Sequence, residues 1–243
     1  MSWPATSAYT NQDPMESTLT SLAGSVRSEL LHLDGVSKFT PNRRFATIFS
    51  EGSSADSLFY VESGLVKLFK RGEESKEIII DVASGGSLFG EQSLMAEGTR
   101  NVAAEVLQEG VIYVIPRDLF IRFCDERPQL WKQVAELLVV HKKRLEKKIE
   151  LLCLQDVEYR ILYYLGELAS SVGSRLNNQE YSIPLSQGEL ASLIGATRET
   201  TSTTLNALAR RGLIRLGRRQ LIVISLDEVR SAAKNHSARA AGK

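Results

Sequence analysis

The sequence predicts an α+β protein in three successive parts: a strand-rich first half, one long helix, and a small helical unit toward the C-terminus. Three observations predict it. Between Lys38 and Pro116, short apolar runs recur at near-regular spacing and are punctuated by glycine, the signature of a sandwich, barrel or roll. From Pro128 onward, Trp131, Leu138, Leu145 and Leu152 repeat at seven, as in a helix that zips against another. From Ser186 to Ile214, two short amphipathic stretches flank the break Gly195-Ala196.

Taken in order, residues 1–28 are rich in Ser and Thr and lack periodic apolar content. They read as a flexible tail, with a short helix near Glu29–Leu33 leading into the first domain, residues 29–127. Within that domain the expected strands are Phe45–Phe49, Leu58–Val61, Leu65–Phe69, Glu77–Val82, Val102–Leu107 and Val111–Ile115. Turn signals at Ser63-Gly64, Gly85-Gly86 and Gly110 separate them. The segment Phe89-Gly90-Glu91-Gln92-Ser93-Leu94, followed by Arg100, is the one chemical feature here. A glycine before a short helical turn exposes backbone N–H groups that suit an anion, and an arginine nearby neutralises one. The same residues also fit an ordinary turn beside a surface arginine.

Residues 128–156 form the long helix. Its heptad seam points to a dimerising coiled coil, the alternative being a helix packed on its own domain. Residues 157–229 make the third part, opening with an amphipathic helix from Val157 to about Ser170. A polar loop and a short strand at Tyr181–Leu185 follow. Ser186 with Glu189 is a capping box, and Leu190, Leu193 and Ile194 share the inner face of the helix it starts. Thr197 caps a second helix whose stripe Thr201, Leu205 and Leu208 is spaced i, i+4, i+7. Arg198, Glu199, Ser202, Thr203 and Asn206 fall opposite. A basic turn at Arg218-Arg219 then precedes the strand-like run Leu221–Ile224. Two short helices and a basic hairpin make a winged helix-turn-helix, which sets its second helix in a DNA major groove. On pattern alone, a helical hairpin with a solvated polar face competes with that reading. Residues 230–243 make a C-terminal tail: Leu226 to Lys234 add a helical turn, and Asn235 to Lys243 read as mildly basic and disordered.

Charge is distributed to match. The chain of 243 residues has a net charge of +1, yet residues 1–126 carry −7, residues 127–185 carry +2 and residues 186–243 carry +6. A polyanion would meet the C-terminal end. No apolar run approaches the ~20 residues of a membrane span, and the start lacks a basic-then-apolar signal segment. The two cysteines, Cys124 and Cys153, sit among apolar neighbours and read as buried thiols in a reducing cytoplasm. No cluster of Ser, His, Cys or carboxylates has catalytic or metal-binding spacing, so an enzyme is not expected.

Together these marks resemble the cyclic-AMP receptor protein/FNR (Crp/Fnr) family of bacterial transcription regulators from about Leu31 to Leu226. The glycine-punctuated roll, Phe89-Gly90-Glu91, Arg100, the helix from Pro128 to Asp156 and Thr197-Arg198-Glu199-Thr200 carry the resemblance. It implies a cyclic-nucleotide-binding-type β-roll, a dimerisation helix and a C-terminal winged helix-turn-helix domain. It implies further a homodimer on double-stranded DNA, working with RNA polymerase in the cytoplasm. Arg198, Glu199 and Thr200 match the family's base and phosphate contacts; Thr203 stands where a second base-reading arginine occurs, and Arg218 and Arg219 belong to the wing. Gly90, Glu91 and Arg100 match ribose and phosphate contacts. Asn101 replaces the usual Ser or Thr, and His141 and Leu145 stand where polar residues hold the purine. The effector left open is cyclic AMP, a cyclic dinucleotide, or none. Two cysteines do not supply an iron–sulfur cluster, and neither they nor the scattered histidines suggest a haem.

Overall fold

The computed structural model describes residues 25–73, 76–95, 98–177 and 179–241. The first domain is an antiparallel roll preceded by a short helix, α1 (Ser25–Leu31). Its strands are β1 (Ser37–Phe39), β2 (Thr47–Phe49), β3 (Ser57–Arg71), β4 (Glu77–Ser84), β5 (Leu88–Phe89) and β6 (Ala103–Pro116). The main order is β1-β6-β3-β4, with β2 also on β6 and β5 on β3. Helix α2 (Arg117–Asp125) closes the roll and hands over to the long helix α3 (Gln129–Leu154).

Two expected turns prove to be bends within continuous strands. Ser63-Gly64 lies inside β3 and Gly110 inside β6, and the register between these strands shifts around Ser63. There the backbones touch: a Cβ on Gly64 would lie 2.7 Å from the Gln108 carbonyl oxygen, and one on Gly110 would lie 2.1 Å from that of Ser63. Only glycine permits that approach, and the bulge curves the two long strands into a roll.

The C-terminal part begins with α4 (Val157–Ser171), N-capped by Asp156, whose carboxylate accepts from the Tyr159 N–H at 2.9 Å. It continues through β7 (Ser174–Arg175) and β8 (Tyr181–Ile183) to α5 (Gln187–Ile194) and α6 (Arg198–Arg210). Then come β9 (Ile214–Gly217), β10 (Gln220–Val223) and α7 (Leu226–Ala241). A second sheet runs in the order β7-β8-β10-β9, so β7 occupies part of the expected loop. The helical turn expected at Leu226–Lys234 is present and runs on as α7 to Ala241, through most of the stretch expected to be disordered from Asn235. His236 holds it down, with Nε2 2.7 Å from the Asp156 carboxylate at the α3–α4 junction. At the other end, residues 1–24 of the expected tail lie outside the described residues, and Ser25–Ser28 belong to α1.

The roll and the C-terminal unit share one core. Leu65, Phe69, Ile79 and Leu107 of the roll cluster with Leu190, Leu193 and Ile194 of α5, all almost fully buried. Each such side chain contributes roughly 1.5–3 kcal/mol on burial. Cys124 is buried, which pushes its thiol up to about 11, while Cys153 is exposed, against expectation. Cys153 sits near the end of α3 on a face that neither unit covers. Among the described residues, no helix is long and apolar enough to cross a membrane.

Candidate nucleic-acid interface and effector site

Local rules build the helix pair. The Ser186 hydroxyl accepts from the Glu189 N–H at 3.2 Å, and the Glu189 carboxylate accepts from the Ser186 N–H at 2.6 Å. Two of the open donors at the start of α5 are thereby satisfied. Gly195, at φ 64°, ends α5 in the left-handed conformation that a sharp turn needs. Thr197 then caps α6 by accepting from the Thr200 N–H at 3.1 Å. Thr201, Leu205 and Leu208 are buried, the stripe that the spacing assigned. On the other side, Arg198, Glu199, Thr200, Thr203 and Asn206 are exposed and Ser202 is half-buried. The Asn206 amide donates to the Ser202 carbonyl within the helix at 2.9 Å. Arg218 and Arg219 form the two-residue turn between β9 and β10, both exposed, with Arg219 at φ 58°.

The helix pair is wired to the rest of the chain by cations that the sequence pattern did not single out. Lys148 of α3, 6% exposed, donates to the Ile79 carbonyl of β4 and the Leu193 carbonyl of α5, each at 2.7 Å. Burial pulls its ammonium down to about 8, partly offset by the charge of Asp81. Arg160 of α4 donates to the Ile194 carbonyl at 2.7 Å. Two cations therefore sit at the C-terminal end of α5, where the carbonyl ends of the helix favour positive charge. Arg44 of the roll pairs with Glu189 of α5 at 2.8 Å. Leu152, expected on the dimer seam, also packs against the turn: a Cβ on Gly195 would lie 2.7 Å from its Cδ2.

The candidate effector residues are gathered only in part. Gly90, at φ 84°, caps a 3-10 turn over Glu91–Leu94. Arg100 is 2% exposed and faces inward. It donates to the Gly90 carbonyl at 3.0 Å and the Ser57 carbonyl at 2.5 Å, and lies over the rings of Phe49 and Phe59 at 4.4 and 5.4 Å. Phe89 completes a three-ring cluster, its centroid 5.2 Å from that of Phe59. Burial lowers the Arg100 pKa, but a guanidinium keeps its charge in a protein. A surface arginine beside a turn glycine is thereby ruled out.

Glu91 meets the long helix: His141 Nδ1 lies 3.5 Å from its carboxylate. Burial works to raise the Glu91 pKa, but the His141 hydrogen bond and charge outweigh it and the net shift is downward. Asn101 accepts from the Gln92 side-chain amide. Leu145 stands apart at 44% exposure, in an open apolar stripe of α3 with Leu138 at 43% and Ile149 at 61%. Trp131, the first seam residue, is turned toward the roll, packing on its core and donating to Asp125 at 3.0 Å. Of the four expected seam residues, Leu138 and Leu145 are thus open.

Comparison with known proteins agrees with this layout. Residues 42–127 match the family model for a cyclic nucleotide-binding domain, and residues 159–231 match that for a Crp-like helix-turn-helix domain. A cyclic AMP receptor protein from Thermus thermophilus is 30% identical over 171 residues, 70% of this chain and 76% of its own length. A CRP-like cAMP-activated global transcriptional regulator from Mycobacterium tuberculosis is 28% identical over 189 residues, 77% of this chain and 84% of its own length. Among solved structures, a CRP-family transcriptional regulator from Thermus thermophilus superposes with a TM-score of 0.70 at 25% identity, covering 82% of this chain and 96% of that one.

Proposed function

The chain belongs to the Crp/Fnr family of DNA-binding transcription regulators, and from that premise we infer that it works as a homodimer on a palindromic promoter site in the cytoplasm, in concert with RNA polymerase. Its work is recognition rather than catalysis. The observation that carries this reading is the two-sided character of α6. One face is locked into the core by Thr201, Leu205 and Leu208. The other presents Arg198, Glu199, Thr200, Thr203 and Asn206 to solvent with Ser202 at its edge.

Arg198 reaches guanine O6 and N7, and Glu199 accepts from a cytosine amino group. Thr200 contacts phosphate near the helix start. Arg218 and Arg219 on the wing bind the backbone and set the register. The open stripe Leu138, Leu145 and Ile149 pairs two copies of α3. That pairing spaces two recognition helices about one DNA turn apart. Selection from a random-sequence duplex library tests the reading. A two-fold symmetric site containing G·C pairs in each half is expected. Recovery of no preferred sequence overturns it.

The relatives named above are called cyclic AMP receptor and cAMP-activated, which favours a nucleotide in the roll, held by Gly90, Glu91 and Arg100. The geometry favours a second reading beside it: a regulator that needs no ligand there. Arg100 already donates to the Gly90 and Ser57 carbonyls and lies over phenylalanine rings, so the turn is held together without a ligand, although its buried Nε has no partner. Titration calorimetry with cyclic AMP separates the two, saturable heat supporting the first.

A further inference from the structure

Arg44 reaches out of the roll to the start of the helix pair. Its Nη2 lies 2.8 Å from the Glu189 carboxylate, which also accepts from the Ser186 N–H. The segment that carries it is strained. Phe45, the next residue, stands at φ 61°, a left-handed conformation that is an outlier for a bulky side chain. The Phe45 N–H donates to the Val106 carbonyl at 2.7 Å. Its ring, 48% exposed, lies 5.4 Å from the Arg44 guanidinium carbon, and the Arg44 Nε is buried. Backbone and ring together hold Arg44 against α5. Strain that persists in this way points to a function.

Glu189 is 8% exposed, and a carboxylate drawn that far from water needs a compensating charge. Two guanidiniums stand near it. Arg44 makes the ion pair. The other belongs to Arg198 of α6: a Cβ on Gly188, the residue before Glu189, would lie 3.4 Å from the Arg198 Nε and 3.7 Å from its Nη2. Arg198 therefore rests on the first turn of α5, one residue along the chain from Glu189. It is exposed, so its donors can turn either to a base or to that carboxylate.

We propose that Arg44 is a positioning residue for DNA reading: by neutralising Glu189, it keeps that carboxylate from capturing Arg198. This role rests on the reading of α6 as the recognition helix. Without Arg44, Glu189 retains its bond from the Ser186 N–H but no counter-charge, and Arg198, which pairs with guanine, is within reach. DNA then has to draw Arg198 off a carboxylate. The uncompensated charge also repels phosphate at the same end of the helix pair. The roll thus acts on base reading through one ion pair, independently of the long helix.

The test measures affinity of the full chain, by fluorescence anisotropy, for the palindromic duplex recovered by selection and for a scrambled duplex. The natural chain is compared with Arg44→Gln, Arg44→Lys, Glu189→Gln and the double variant Arg44→Gln/Glu189→Gln, all below the lowest melting midpoint of the set. Glutamine at 189 keeps an oxygen for the Ser186 N–H, so the cap survives. Arg44→Gln should weaken the palindrome by about tenfold and the scrambled duplex by less. Arg44→Lys, which keeps the charge, should restore most of the loss. The double variant should return to within about threefold of the natural chain, because no carboxylate is left to neutralise. A double variant as weak as Arg44→Gln overturns the proposal and makes Arg44 a phosphate contact or a structural residue. An Arg44→Gln chain that binds like the natural one overturns it as well. Failure of the DNA reading looks different, since the natural chain itself then shows no preference for the palindrome over the scrambled duplex.

Discussion

Arg198 and Arg100 both belong to short motifs that carry the family resemblance, and the fold treats them in opposite ways. Arg198 stands exposed at the first turn of α6. Arg100 is 2% exposed, with donors on two backbone carbonyls. The first holds its hydrogen-bonding capacity in reserve for a partner. The second is already part of the structure that surrounds it. A motif names a residue type at a position; it does not say whether that residue's donors are free. In this chain the outer face of α6 is displayed to solvent, whereas Arg100 is drawn into the roll, with two donors engaged and its Nε buried without a partner.

The largest expected effect tests the buried arginine. Arg100→Met keeps the apolar stem but removes the donor to the Ser57 carbonyl, at roughly 1–3 kcal/mol for a buried acceptor, while the Gly90 carbonyl keeps the Ser93 N–H at 3.1 Å. The urea midpoint should fall by the equivalent of about 1–3 kcal/mol. A midpoint unchanged within 0.5 kcal/mol would mean that Arg100 is waiting for a ligand after all. Arg198→Ala comes next and is the mirror image. Stability should stay within about 0.5 kcal/mol, while DNA affinity falls by roughly 1–3 kcal/mol with relaxed preference at one base pair. Footprinting that shows an unchanged preference removes Arg198 from the reading role.

A smaller effect concerns the joint between the two ends. Lys148 has its pKa pulled from the usual 10.5 to about 8 by burial. Between those values the unfolded chain holds a proton that the folded chain has released, so stability rises with pH there and gains nothing below about 8. The slope should approach 1 kcal/mol per pH unit. Lys148→Met should flatten it in denaturation curves taken between pH 8 and 10. A slope that survives the substitution assigns the titration to another group.

What was legible follows from the reach of each signal. The Ser186–Glu189 box and the Thr201–Leu205–Leu208 stripe depend on partners within one or two helical turns, and both stand in the structure as the spacing assigned them. Lys148 was not legible, because the carbonyls that it caps are 69 and 45 residues away and any surface lysine looks the same in sequence. The heptad through Leu152 is real as a pattern. Which of its members are free, however, depends on Gly195, whose missing side chain makes room for Leu152. Gly64 and Gly110 signalled chain reversal, yet a close crossing of two strands asks for glycine just as strongly. The polar run around His236 carried no periodicity, and its helix is tied down by Asp156, 80 residues earlier.

The smallest effect is on the wing. Arg219 occupies the left-handed region at φ 58°, where a side chain costs on the order of 1 kcal/mol relative to glycine. Glycine gives part of that back as extra freedom in the unfolded chain. Arg219→Gly should therefore raise stability by about 0.5 kcal/mol while removing one charge from the DNA-facing turn. If the wing touches phosphate, the slope of log affinity against log salt should shrink by about 1.8 for the dimer, about 0.9 from each subunit. Affinity should drop equally for specific and non-specific duplexes, since a phosphate contact carries no base information. A loss confined to the specific site would make Arg219 a base reader. An unchanged slope would lift the wing off the DNA and leave recognition to α6 alone.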